Sequence, residues 1–174
     1  ALVQTIDLAP TLLDYFGLSL PTNMQGIPLR DAIAADAPTR TAALFGLHGG
    51  HVNVTDGRYV YMRAPANPQN EPLFNYTLMP THMRARFSVD ELTQAKLSKP
   101  FSFTKGCPTL RVPARAWSHK HPYQTMLFDL HQDPTQEHPI QNATIERQMI
   151  EHAQRLMTEN DAPPEQFERL GLVH

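Results

Sequence analysis

Sixteen prolines against eight glycines set the tightest limit on this 174-residue chain. Each proline fixes φ and removes a backbone donor, so long helices are interrupted and short elements joined by fixed turns are favoured. The length suits one domain with a real core and is short for two. Hydrophobic residues at 41%, charged residues at 18% and a net charge of −2 describe a globular balance. No basic excess points to nucleic acid, and no polybasic run points to a membrane surface. No apolar stretch approaches the roughly 18 residues of a membrane-spanning helix. The single cysteine, Cys107, excludes an internal disulfide and gives no sign of an oxidising compartment. Ala1-Leu2-Val3-Gln4 leads straight into what reads as structure, without a signal-peptide pattern.

Punctuation residues divide the chain. Asp7 to Gly17 predicts a helix, with Asp7 as its cap, Pro10 in the first turn, and Gly17 at the left-handed position after its end. Leu12, Leu13 and Phe16 share one face of it. Pro21 to Arg30 predicts a loop, and Ala43 to Leu47 a buried strand. Val52–Val54 and Tyr59–Met62 flank Thr55-Asp56-Gly57-Arg58, and Asp-Gly between β-rich runs predicts a hairpin. Pro65 to Pro72 predicts a loop. Ser88 to Leu97 predicts a short helix with Ser88 as cap and Glu91 reaching back, and Pro100 to Lys120 predicts mostly irregular chain. Tyr123 to Leu130 predicts a strand closed by Asp133-Pro134. A last helix is expected from about Asn142 to Thr158, with Ile145, Met149, Ala153, Leu156 and Met157 as its apolar stripe. Asp161-Ala162-Pro163-Pro164 ends it. The order gives an α+β fold: a small antiparallel β-sheet with packed helices.

Three of these segments together resemble the sulfatases of the alkaline phosphatase superfamily. Val3 to Gly17 (VQTIDLAPTLLDYFG) is similar to that family's "hxDLxPTLLDLxG" helix, and Pro21 and Gly26-Ile27-Pro28-Leu29 follow it as they do there. Val54 to Tyr61 (VTDGRYVY) is similar to the hairpin of the C-terminal subdomain. Leu127 to Glu137 (LFDLHQDPTQE) is close to the family's "LYDLxxDPxE" strand and turn, with Pro139-Ile140 where Asn-Leu usually follows. The resemblance implies the C-terminal subdomain of an alkaline-phosphatase-like fold. Residues 1–30 would be the helix and linker ending the large α/β domain. Residues 31–174 would be the subdomain, with an irregular insert at about 65–121. These motif residues also have plain structural readings: Asp129 lies in a half-buried strand, and Asp133-Pro134 starts a turn.

The family's chemistry needs a formylglycine made from the cysteine or serine of Cys-x-Pro-x-Arg. It also needs a divalent cation, calcium for preference, held by carboxylates and an amide. In family order both lie before the opening helix, so the resemblance implies a sulfuric ester hydrolase as parent and no catalysis by this chain alone. Cys107-Pro108-Thr109-Leu110-Arg111 has the cysteine–arginine separation, but its proline is one place early, and Cys107 is expected to be a small loop side chain. His48-Gly49-Gly50-His51 offers two imidazoles, too few for a metal without partners; His119 and His121 pose the same question. No catalytic or metal-ligating residue is therefore assigned.

Candidate substrate-binding residues are His48 and His51, between two strands where glycines allow close approach, and Lys105 in the proline-rich insert. The partners implied are the N-terminal α/β domain and a sulfated small molecule or glycan, with neither nucleic acid nor membrane. A phosphonate monoester or phosphodiester hydrolase of the same superfamily, and a free-standing binding module, are the alternative readings.

Overall fold

The computed structural model describes residues 1–114 and 124–172. In chain order the elements begin with α1 (Leu8–Tyr15), α2 (Arg30–Ala35), β1 (Ala43–Gly46), β2 (Val52–Thr55) and β3 (Tyr59–Arg63). They continue with β4 (Phe74–Thr77), α3 (Val89–Gln94), β5 (Lys96–Ser98) and β6 (Thr109–Pro113). The last are β7 (Met126–Asp129), α4 (Ala143–Glu159) and α5 (Pro164–Arg169). The fold is α+β, with one sheet ordered β1-β2-β3-β7 and a second ordered β4-β6-β5. Contacts divide the chain into two compact units. One comprises Ala1–Phe45, Val52–Arg63 and Thr125–Leu156; the other comprises Gly46–His51, Ala64–Gln124 and Met157–His174.

In the first unit, β3 lies between β2 and β7 in antiparallel register, with Val54 opposite Tyr61 and Tyr61 opposite Leu127. That places three apolar side chains on one face, where Met149 and Ala153 of α4 pack against them. The expected apolar stripe of α4 is thus its core-facing side. Asn142 starts the helix by accepting from the N–H groups of Thr144 and Ile145 (3.1 and 3.2 Å). The hairpin between β2 and β3 turns on Asp56, whose Oδ1 accepts from Arg58 and Tyr59 N–H at 2.9 and 2.7 Å while Gly57 takes φ 96°. Asp129, buried at the end of β7, accepts from the Arg58 guanidinium at 2.8 Å. That cation, a hydrogen bond from His131 N–H and the Arg58 charge together hold its carboxyl below the ordinary range.

Asp7 departs from its expected role. Its carboxylate does not cap α1; it is fully buried and bidentate to Arg40, with both distances 2.7 Å. It also accepts from the N–H groups of Gln4 (2.7 Å) and Ile27 (2.9 Å). The Arg40 guanidinium outweighs the cost of burial and lowers the Asp7 pKa to about 2. Thr11 extends the same joint, its hydroxyl donating to the Asp7 carbonyl and accepting from Leu29 N–H. Gly26 lies so close beneath that a Cβ there would stand 2.1 Å from the Ile6 carbonyl oxygen. At the far end Gly17 takes φ 67° and Leu18 N–H returns to the Leu13 carbonyl, the closure expected of a glycine stop.

The second unit gives the insert at about 65–121, expected to be irregular, a three-stranded sheet: β4 and β6 pair antiparallel, as do β5 and β6, and of the stretch after Pro100 only β6 joins it. Its strands span only three to five residues, and β6 ends on Pro113, so neither length nor alternation marks them. Helix α3 forms behind the expected reciprocal cap: Glu91 N–H donates to Ser88 Oγ (3.2 Å), and Ser88 N–H to the Glu91 carboxylate (2.7 Å). It stops at Gln94, short of the expected end, because residues 96–98 join the sheet as β5.

Candidate functional site

His48 and His51 belong to the loop between β1 and β2, which turns tightly at Leu47–Gly50. Gly50 N–H donates to the Leu47 carbonyl (2.9 Å), and Gly49 adopts φ 75°, a conformation that glycine alone takes without cost. The close approach that the glycines allow is made by the chain itself. Asn70 Nδ2 donates to the Gly49 carbonyl at 2.6 Å, and Arg169 Nη1 to the Gly50 carbonyl at 3.2 Å. Arg169 also reaches Asn70 Oδ1 (2.8 Å) and Gln166 Oε1 (3.0 Å), and is only 2% exposed.

Each imidazole is oriented by a backbone carbonyl. His48, exposed, donates from Nε2 to the Phe74 carbonyl at 3.2 Å. His51, half-buried, donates from Nε2 to the Gln124 carbonyl at 2.9 Å. With Nε2–H so engaged, Nδ1 of a neutral His48 ring is an acceptor, able to take a hydrogen bond from a hydroxyl. Lys105 sits on a different loop, exposed, with φ 53° directly after the 3₁₀ turn Ser102–Thr104. The structure therefore brings the two histidines onto one braced turn and leaves the lysine elsewhere. Asn70 and Arg169, which brace the turn, were not singled out in the sequence. A buried arginine between Phe167 and Leu170 carries no local mark of its burial.

Cys107 is exposed, in a turn where Thr104 Oγ1 donates to its carbonyl at 2.9 Å. Arg111, at the other end of the Cys-Pro-Thr-Leu-Arg run, lies in β6 with its guanidinium 4.3 Å from the centre of the Phe74 ring. Among the described residues, no group of three or more His, Cys, Asp or Glu is placed to hold a metal ion. The described residues thus offer no set that fits the cation that the resemblance implies. No helix among them is long and apolar enough to cross a membrane. His119 and His121 lie outside the described residues.

No protein-family model and no curated protein matches the chain. Among solved structures, a Bacteroides thetaiotaomicron sulfatase, described with the metabolism of multiple glycosaminoglycans, is similar over 94% of this chain. The TM-score is 0.50 and the sequence identity 15%. The fold resembles part of a sulfatase. The match covers 29% of that structure's chain, so the present chain spans less than a third of its length.

Proposed function

We propose that this chain is the C-terminal part of an enzyme that hydrolyses sulfate esters. The likeness of 94% of the chain to a portion of a solved sulfatase carries the reading. The three sequence segments that resemble that family add to it, and they coincide with three joints of the first unit. These are the Asp7–Arg40 pair, the Asp56 hairpin and the Arg58–Asp129 pair.

In this reading the formylglycine nucleophile and the divalent cation, calcium for preference, belong to polypeptide N-terminal to residue 1. The large α/β domain that carries them covers the apolar outer side of α1. His48 and His51 border the substrate pocket, and Lys105 supplies a cation to an anionic ester. The substrate is an aryl sulfate, a sulfated glycan or another sulfate ester.

The test is turnover by the protein expressed with the reading frame upstream of residue 1, beside the 174-residue chain alone. The longer protein should hydrolyse 4-nitrophenyl sulfate faster than a 4-nitrophenyl phosphodiester or phosphonate, and the short chain should match a no-protein control with or without calcium. Preference for the phosphorus esters would assign the related hydrolase activity. Sulfate turnover by the short chain, abolished by Cys107→Ala, would overturn the reading.

A further inference from the structure

The Leu47–Gly50 turn is clamped by two buried side chains that reach it from distant parts of the chain, Asn70 at 5% exposure and Arg169 at 2%. Asn70 Nδ2 donates to the Gly49 carbonyl and Arg169 Nη1 to the Gly50 carbonyl, so the carbonyls of both glycines are held. Arg169 Nη1 also donates to Asn70 Oδ1 at 2.8 Å, which joins the two clamps into one.

Each clamp is itself anchored. Asn70 takes φ 58°, a left-handed conformation that asparagine tolerates, and its N–H donates to the Asn67 carbonyl at 3.1 Å. The Asn67 side chain in turn accepts from Glu71 N–H and donates to the Glu71 carbonyl. The Arg169 carbonyl accepts from Ala66 N–H at 2.7 Å, and its Nε donates to Gln166 Oε1.

A turn that only joins β1 to β2 requires neither clamp. Its own Gly50–Leu47 hydrogen bond and the left-handed Gly49 already close it. Burying a guanidinium is costly, and turn carbonyls ordinarily face water. What the clamps add is a fixed path for the backbone between His48 and His51. The two rings are aimed by carbonyls of further segments, His48 by Phe74 and His51 by Gln124. At 3.2 Å the His48 bond is at the long end of the normal range, so a small movement of the turn would release the ring.

We infer that Asn70 and Arg169 are positioning residues for the two histidines, holding the turn so that both rings keep their aim. Neither touches a ligand; they act through the glycine carbonyls. The effect on turnover rests on the sulfate-ester function proposed above, whereas the aim of the rings does not.

Ring ¹³C relaxation of the full 174-residue chain tests the aim without any activity. In the wild type, His48 and His51 should have order parameters near the rigid value of about 0.85. Asn70→Asp keeps the shape and the bond from Arg169 but removes the donor to Gly49, and should bring both rings below about 0.6. Arg169→Lys, which keeps the cation and loses the fork, should act in the same direction and decides the matter if Asn70→Asp does not fold. Val54 and Met149 amide signals, from the core of the first unit, should stay in place. In the longer sulfatase, Asn70→Asp should lower kcat/KM roughly tenfold, within the range of a small misplacement. Added to a protein that already lacks both imidazoles (His48→Ala with His51→Ala), it should cost little more, because the same aimed rings are already lost. Rings that stay rigid in a folded Asn70→Asp or Arg169→Lys variant, or losses in kcat/KM that multiply, would overturn the assignment and leave the clamps as anchors of the fold. A longer protein that turns over no sulfate ester would sink the functional reading alone, and the ring order parameters would still decide the positioning.

Discussion

Removing the Asp7 carboxylate should be among the most damaging single changes to the first unit. The group is fully buried, its partner Arg40 is 13% exposed, and four hydrogen bonds converge on its two oxygens. Asp7→Ala leaves a largely buried guanidinium unpaired and the N–H groups of Gln4 and Ile27 without an acceptor. Breaking one partner of a buried ion pair costs about 3 to 5 kcal/mol, a large share of the total stability of a domain this size. Asp7→Asn keeps the shape and one acceptor oxygen, and isolates the charge.

The pH dependence follows from the depressed pKa, about 2 against an ordinary 3.8 for an aspartate. A carboxyl whose folded pKa is lowered stabilises the fold above its unfolded value, and that contribution is lost as pH falls through the folded one. The displacement corresponds to about 2 kcal/mol, present at pH 7 and fading between about pH 4 and pH 2. Urea unfolding followed by circular dichroism should show Asp7→Asn less stable than wild type by about this amount at neutral pH, and the gap should close towards pH 2. A gap that persists unchanged at low pH, or an Asp7→Ala variant within about 1 kcal/mol of wild type, would refute the account of this carboxylate as the buried charge of the joint.

Gly26→Ala should destabilise the same joint by more than a typical substitution, because the added methyl meets the Ile6 carbonyl at 2.1 Å and backbone must move; thermal unfolding reads the loss. Asn142→Ala, which removes the acceptor for Thr144 and Ile145 N–H, should cost about 1 kcal/mol in the same assay. In the longer sulfatase proposed above, His48→Ala or His51→Ala should lower kcat/KM by roughly tenfold, about 1.4 kcal/mol of transition-state stabilisation, with the melting temperature unchanged. A variant that melts early and keeps its kcat/KM would assign the ring to bracing the Leu47–Gly50 turn.

Local rules carried the sequence reading where the elements answer to local rules. Ser88 with Glu91, Asp56-Gly57 and Asn142 each satisfy orphan backbone groups within a few residues, so their roles are visible in the sequence. The stripe Met149, Ala153 and Met157 repeats at helical spacing and is buried. Sheet β4-β6-β5 was not visible, because strands this short show no alternation to find, and β5 lies directly after α3. Helix α5 was hidden by Pro163-Pro164, which reads as a stop yet places a proline at the first position of a new helix, where no N–H is needed. Asp7 was assigned to a nearby backbone although its decisive partner is 33 residues away. The histidines were seen as a pair with glycines between them. The groups that fix that turn, Asn70 and Arg169, come from distant segments and have no signature.

Helix α1 shows how a segment can be both structural and informative. Its Leu8, Leu12 and Phe16 are 60%, 59% and 70% exposed. The arrangement inverts the usual amphipathic helix, which buries apolar side chains and shows polar ones. Here the attachments are polar: Asp7 to Arg40, Thr11 to Leu29, and Asp14 to Arg30 at 2.8 Å. Pro10 is the only fully buried residue within the helix. The outward side is apolar, and Val3, Ile6 and Tyr15, at 55%, 51% and 76% exposure, extend it. Contiguous exposed apolar surface of this kind is uncommon on a protein that works alone. A carboxylate, a threonine and a glycine suffice to anchor the helix from beneath, which frees its leucines and aromatics to face another surface. In the function proposed here that surface is the large α/β domain. The motif then has a physical reason for its composition: its polar residues hold the helix in place, and its apolar residues are kept for the partner.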